Sequence, residues 1–422
     1  MAESLFIRNG IILTMEEDFP VIENGSLLVE NGEITALGPG GSIIPPPEAR
    51  VMDATGSVVM PGLVNCHTHL PMSLFRGLAD DLPLDAWLND HIFPAEARQI
   101  NPESVLKWAY LSCKELLLSG TTCCCDGYFH ADGVALAALR AGIRIVAGQG
   151  VIDFPAPGVP DPEKNVDAAV GFAEQWAGRS SRIHPSIFCH SPYTCSALTL
   201  QRAKRASRDL GILFQIHVAE TRNEAATISQ LKGRSVVEYL DDLGIIDKST
   251  LLVHCVWIDD LDIEIIKKRG AGVVYCAESN MKLASGIAPG VGIMNAGIPL
   301  GLGTDGSASN NNLDLFQEMD MAARLQKAAC SDPLVMAPEQ VLAMATLGGA
   351  RALGLDKMIG SLKKGKRGDI ILVNMEKPHL VPLYNPFAAL VHGANGSDVT
   401  HVIVDGRVLV ENGKLMVSDL EQ

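Results

Sequence analysis

The triplet His67-Thr68-His69 closes an apolar run, 58–65. Side chains alternate faces along a strand, so two histidines one residue apart point the same way. Two imidazoles on one strand face can hold a divalent ion, and an ion with an open coordination position activates water. Later apolar runs end in more residues that bind metals or move protons: Asp126, Gln149, His190, His217 with Glu220, His254, Ser279 with Asn280, and Asp305. Among them, His67, His69, His217 and Asp305 supply three imidazoles and a carboxylate. That set suits one divalent ion, Zn²⁺ first and Fe²⁺ second, and leaves a position for water.

The elements that must carry these residues are short. The apolar runs are 58–65, 121–125, 143–149, 183–189, 213–216, 251–253, 272–275 and 298–304, and segments of helical spacing such as 104–118, 132–141 and 200–209 lie between them. Eight alternations of strand and helix predict an α/β fold, a (β/α)8 TIM-like barrel over 56–360. Active sites of such barrels lie at the carboxyl ends of the strands, where the polar residues above stand.

A barrel takes roughly 250 residues, and the chain has 422. Residues 1–55 read as short strands (5–7, 10–15, 26–30, 33–37) with Asn24-Gly25 and Asn31-Gly32 as hairpin signals. Residues 361–422 repeat the style in 369–373, 400–404 and 407–410, with Asp405-Gly406 and Asn412-Gly413 as turns. Neither end can bury a core alone, so both are expected to join in one discontinuous β-sandwich domain.

A net charge of −15 without a basic stripe disfavours nucleic acid or an anionic membrane as partner and leaves a neutral or cationic small molecule. No apolar stretch reaches the roughly 20 residues of a membrane span, and residues 1–6 do not read as a leader, so the chain reads as cytoplasmic. Of its ten cysteines, Cys123, Cys124 and Cys125 are contiguous in an apolar run and no C-x-x-C pair accompanies them, which reads as buried reduced thiols.

Four motifs in order carry a resemblance: Pro61-Gly62-Leu63-Val64-Asn65-Cys66-His67-Thr68-His69, Ile216-His217-Val218-Ala219-Glu220, Val253-His254-Cys255 and Gly303-Thr304-Asp305-Gly306. Together they resemble the amidohydrolase superfamily in its cytosine-deaminase and chlorohydrolase-like branch, over nearly the whole chain. Within it, the stretch from Leu70 to Leu84, Trp87-Leu88, Ile92-Phe93-Pro94-Ala95-Glu96, His190-Ser191-Pro192-Tyr193, the stretch from Ser279 to Pro289 and that from Asp305 to Asn311 are similar to the 5-methylthioadenosine/S-adenosylhomocysteine deaminase family.

The resemblance implies hydrolytic deamination of an adenosine-type nucleoside to its inosine analogue and ammonia. It makes Glu220 the residue that protonates the purine at the position of adenine N1. It gives His254 the task of polarising the nucleophile, and Asp305 that of passing a proton to departing ammonia. A second metal would require a lysine on the fourth strand, and 183–194 has none, so a single ion is implied. Glu96 is expected to accept hydrogen bonds from ribose hydroxyls, with Trp87 and His190 against the nucleoside; a homo-oligomer is the family-level expectation. Two departures touch recognition of the substrate tail. Gln149 stands where some members carry an arginine that holds the nucleoside, and Tyr275-Cys276-Ala277 replaces a more usual His-x-Pro.

Plainer readings stand beside these. Apart from the resemblance, Glu220 equally fits a solvated carboxylate at a helix start, and His254 a satisfied core histidine. Asp305 fits a turn or helix cap, His190 a core histidine, and Trp87 and Glu96 ordinary helix packing. His130, His184 and His401 carry no assignment. Three other functions compete: deamination of aminodeoxyfutalosine in a menaquinone route, dechlorination or deamination of a triazine or another N-heterocycle, and a metal-free binding protein. The intact donor set opposes the last.

Overall fold

In the computed structural model, which describes residues 4–18 and 20–416, the chain forms two sheets. The first five strands are β1 Leu5–Leu13, β2 Val21–Glu30, β3 Glu33–Pro39, β4 Arg50–Asp53 and β5 Ser57–Pro61. The next eight are β6 Leu63–Thr68, β7 Thr121–Tyr128, β8 Arg144–Val151, β9 Ile183–Cys189, β10 Leu213–Val218, β11 Thr250–His254, β12 Gly272–Tyr275 and β13 Leu300–Leu302. The last four are β14 Ile370–Asn374, β15 Val399–Val404, β16 Arg407–Glu411 and β17 Lys414–Leu415.

Strands β6 to β13 pair in chain order, every pair parallel. The circle closes at the carboxyl end, where Asp305 N–H donates to His67 O at 3.0 Å. Helices such as Pro102–Leu118, Ala131–Ala141 and Ala197–Leu210 alternate with the strands and seal the outside. This is the (β/α)8 barrel expected from the run pattern. The cysteines are free thiols, all buried except Cys330.

The run 58–65 was expected as one barrel strand; the structure divides it. Residues up to Pro61 form β5, which pairs with β1 and β14 in the other sheet, and the barrel begins at Leu63. Pro61 lacks the N–H a continuing ladder would need, and a Cβ on Gly62 would lie 2.1 Å from Thr122. The chain therefore crosses between sheets at that pair.

The remaining strands form one continuous nine-stranded sheet, in the order β17-β16-β15-β14-β5-β1-β2-β3 with β4 on β1. It curls until two hairpin tips meet: Gly368 N–H donates to Gly32 O at 2.8 Å, and Gly406 N–H to Gly368 O at 3.0 Å. The curl encloses Leu5, Ile7, Leu27, Val29, Ile370, Leu372 and Ile403, so one folded sheet supplies both faces of the expected sandwich. Asn31-Gly32, Asp405-Gly406 and Asn412-Gly413 each have two positive φ angles, as two-residue hairpin turns require. Asn24-Gly25, expected as a turn, lies inside β2 opposite a register shift, so its signal marks a bulge. The expected strands 5–7 and 10–15 are one strand, β1. Among the described residues no helix is long and apolar enough to cross a membrane.

Candidate active site

The carboxyl ends of the barrel strands converge on a cavity lined by His69, His217, Glu220, His254 and Asp305. His67 lies within β6 and His69 just beyond it, held by the strand's period of two on one face. His217 comes from β10, and Asp305 follows β13. The Nε2 atoms of His67 and His217 are 3.1 Å apart, and Asp305 Oδ1 lies 3.4 Å from Nε2 of both His67 and His69. Ligand atoms of His67, His69 and His217 all fall within 4.8 Å of one another.

Neighbouring residues fix how these groups face. His69 Nδ1 lies 2.6 Å from Gly127 O, which places the proton on Nδ1 and leaves Nε2 free to bind. Asp305 accepts hydrogen bonds from Ser279 Oγ (2.6 Å), Ser309 Oγ (2.9 Å) and Gly306 N–H (2.7 Å). Asn65 ties the two edges of the closure, donating to Thr304 Oγ1 at 2.7 Å and accepting from Thr304 N–H at 3.1 Å. Gly303 is obligatory for this approach, since a Cβ there would stand 2.9 Å from His67 Cβ.

Burial pushes the His67 imidazole down to about 4 and holds that of His217 well below its ordinary value. Both rings are therefore neutral at pH 7. Burial alone would raise Asp305, yet the hydrogen bond and charge of His67 hold its carboxyl well below the usual carboxylate range. Neutral imidazoles and an ionised carboxylate are the forms that bind metals. Two neutral rings with Nε2 atoms 3.1 Å apart can share one proton at most, so a cation fits between them. The donor set suits a divalent metal.

Beside the donors stand Glu220 and His254, with His254 Nε2 3.7 Å from Glu220 Oε2. His254 Nδ1 lies 3.0 Å from Asn280 Oδ1, so its proton sits on Nδ1 and Nε2 faces the cavity. Glu224 accepts from the backbone N–H groups of Ala219 (3.0 Å) and Glu220 (2.9 Å), which fixes the turn carrying Glu220. Burial, with the charge of Asp305 adding to it, pushes Glu220 up to about 8; burial brings Glu224 up to about 7. Ala219, His254, Cys255 and Asp305 all have φ between 49° and 74°. Four non-glycine residues in the left-handed region at the strand ends represent local strain of about 1–3 kcal/mol each, which the surrounding barrel sustains.

Trp87, Glu96 and His190 also line the cavity. Trp87 Nε1–H donates to Leu78 O at 3.1 Å, which leaves its ring as a wall. Glu96 is buried and accepts from Tyr128 Oη at 2.5 Å; burial raises its carboxyl to about 7, against the opposing effect of that hydrogen bond. His190 is driven down to about 3 by burial and packs at ring distances of 5.3 Å from His217 and 6.2 Å from Phe93.

Gln149, expected to bind substrate, does not reach the cavity. Its Oε1 accepts from Ala131 N–H at 3.0 Å, at the start of helix Ala131–Ala141. Gly148 and Gly150 take the inward positions of β8, and alternation turns Gln149 outward. Asp126, another strand-end residue, accepts from Leu70 N–H at 2.6 Å and Thr68 Oγ1 at 3.1 Å and so braces the segment after His69. Ser279 and Asn280 serve as partners of Asp305 and His254.

Sequence reasoning missed Tyr128, Phe188 and Glu224. Tyr128 follows Asp126 by two residues and so shares its strand face, a signal lost by ending that run at Cys125. Glu224 stands one helical turn beyond Glu220, and only the fold shows that it turns back on the backbone.

A model of the amidohydrolase family matches residues 58–409. The chain is 43% identical to a 5-methylthioadenosine/S-adenosylhomocysteine deaminase of Syntrophobacter fumaroxidans, over 99% of this chain and 95% of that one. It is 43% identical to a 5′-deoxyadenosine deaminase of Methanothermobacter thermautotrophicus, over 98% of this chain and 95% of the other. An adenosine deaminase from Xanthomonas campestris, solved with bound zinc, superposes with a TM-score of 0.96 at 36% identity, covering 98% of this chain and 94% of its own. A zinc-complexed atrazine chlorohydrolase from Arthrobacter aurescens shares the fold, with a TM-score of 0.92 at 22% identity over 98% and 97% of the two chains.

Proposed function

Since the chain belongs to the amidohydrolase family, we propose that it hydrolytically deaminates adenosine-type nucleosides, converting 5′-methylthioadenosine or a related 5′-modified adenosine to the inosine analogue and ammonia. One observation carries this reading: Glu220 and His254 line the same cavity as His69, His217 and Asp305, with His67 directly behind at 3.1 Å from His217 and 3.4 Å from Asp305.

A zinc ion held by His67, His69, His217 and Asp305 would supply the Lewis acidity that makes water a nucleophile at neutral pH. Glu220, with its carboxyl raised to about 8, holds a proton at neutral pH and delivers it to the purine nitrogen next to the carbon under attack. His254 Nε2 accepts a hydrogen bond from the attacking water, with its ring fixed by Asn280. Asp305 takes the water's proton and passes it towards the leaving amine, while Ser279 and Ser309 keep its other oxygen occupied. Glu96 accepts from the ribose hydroxyls, and Trp87 and His190 form walls against the nucleoside. The chain is on this reading a cytoplasmic homo-oligomer acting on a small molecule. Its net charge of −15 supports the exclusion of nucleic acid and anionic membranes.

The test is a kinetic screen of adenosine, 5′-deoxyadenosine, 5′-methylthioadenosine, aminodeoxyfutalosine and atrazine. Loss of adenine absorbance with stoichiometric ammonia is expected for the first three. Preference for atrazine over every adenosine would overturn the assignment. The likeness to atrazine chlorohydrolase shows the fold alone, so no observation favours that second reading.

A further inference from the structure

Three residues before Glu96 on the same helical stretch stands Phe93, whose ring packs 5.4 Å from Phe154 and 6.2 Å from His190. On the other side of Glu96, Tyr128 donates to its carboxylate and lies 5.5 Å from Phe129. Phe129 in turn covers the backbone at Gly150, where a Cβ would meet its ring at 3.1 Å. Ile152 continues the same wall. The surroundings of Glu96 away from the metal donors are thus aromatic and aliphatic.

Among the described residues the cavity carries no basic side chain besides histidines. The ionisable residues lining it are Glu96, Glu220, Asp305, Tyr128, Tyr193 and histidines, and among the described residues no lysine or arginine lines it. Gln149, the polar side chain next to Gly150, is spent on Ala131 N–H outside the cavity. A carboxylate entering this region meets no lysine or arginine side chain among the described residues.

If the nucleoside lies as proposed above, with its base at Glu220 and its ribose at Glu96, the 5′ position points into the wall of Phe93, Phe129 and Ile152. We infer that this wall is a 5′ subsite selective for uncharged, apolar substituents, and that the preferred substrates are 5′-deoxy and 5′-alkylthio adenosines rather than those whose 5′ group carries a carboxylate. The inference rests on the proposed deaminase reading and narrows its substrate class. A buried polar group left without a partner is the strongest basis of discrimination between otherwise similar substrates.

The experiment compares kcat/KM of the metal-loaded enzyme for 5′-deoxyadenosine, 5′-methylthioadenosine, 5′-butylthioadenosine and S-adenosylhomocysteine. The butyl compound has about the reach of the homocysteine tail without its charges. The three uncharged substrates are expected to exceed S-adenosylhomocysteine by at least about ten-fold, with the difference residing in KM. In Phe93→Ala the preference for 5′-methylthioadenosine over adenosine should fall about ten-fold, the scale of losing apolar contact in a pocket. S-adenosylhomocysteine turned over as well as 5′-methylthioadenosine, or the butyl compound as poor as S-adenosylhomocysteine, would overturn the subsite while leaving deamination intact. Failure of all four nucleosides and of adenosine would instead remove the deaminase reading itself.

Discussion

At the scale of single residues, the proposed reaction rests on two buried carboxyls with separate tasks. Glu220 donates no ligand to the metal set, so Glu220→Gln should keep its metal while kcat falls about 10²-fold or more, the usual worth of a general acid–base group. Metal content and steady-state rates decide it: parental activity with metal retained would remove Glu220 from proton transfer. Glu96 lies away from the metal donors, and burial raises its carboxyl to about 7. Its ionised form is the stronger acceptor for ribose hydroxyls, so KM for adenosine should decrease as pH rises through about 7 and lose that trend in Glu96→Gln. In Glu96→Ala, nucleosides should lose about 1.5–3 kcal/mol of binding and free adenine far less. Equal losses would exclude a ribose contact. That His67, His69, His217 and Asp305 come together was legible because the first two share a strand face and the other two end later runs. Gln149 was misread because period-two alternation does not say which phase faces inward, and glycines flank it on both sides.

At the scale of elements, precision comes from strand ends rather than from strands. β6 and the residue just beyond it bring two donors on one face, β10 a third, and the turn after β13 the carboxylate; the turns after β10 and β13 are set by the left-handed residues Ala219 and Asp305 and by carboxylates bonded to backbone N–H groups. Because the donors come from three separate strand ends, chelation should abolish activity and lower the thermal midpoint, and one equivalent of Zn²⁺ per chain should restore both. At free metal a thousand-fold above Kd, mass action alone contributes about 4 kcal/mol of stability. Two stoichiometric ions in the active enzyme, or full activity with none, would contradict a single four-donor site. Boundaries were less visible than existence: the run 58–65 is apolar throughout because both sheets bury it, so hydrophobicity could not show the change of sheet at Pro61-Gly62. Trp87–Ile92 is a π-helical turn against the cavity, a local irregularity with no sequence period of its own.

For the whole molecule, the curled sheet contacts the barrel at strand starts, opposite the site. Gly62 N–H donates to Asp369 O at 3.0 Å, and Gly120 approaches Val399 and Ile371. That both chain ends build one sheet was legible from their turn signals; its continuity was not, because β5 hides in the run that leads into the barrel. The strongest link is Arg144, at the start of β8 and fully buried. Its Nε lies 2.8 Å from Asp369 Oδ2, one terminal nitrogen 3.0 Å from Oδ1, and the other 2.8 Å from Ser181 O. Asp369 in turn accepts from Asp405 N–H at 2.8 Å, which ties in the β15–β16 hairpin. Removing one member of a buried pair leaves the other charge uncompensated, whereas replacing both with apolar groups is often neutral. Arg144→Met should therefore cost about 3–5 kcal/mol in denaturant unfolding, and the double variant Arg144→Met with Asp369→Leu should recover most of it. KM of the folded single variant should stay at the parental value, because the pair lies at the far end of the barrel from Glu96 and Glu220. A loss below about 1 kcal/mol for Arg144→Met would mean that the apolar contacts around Gly120 hold the two sheets together without this pair.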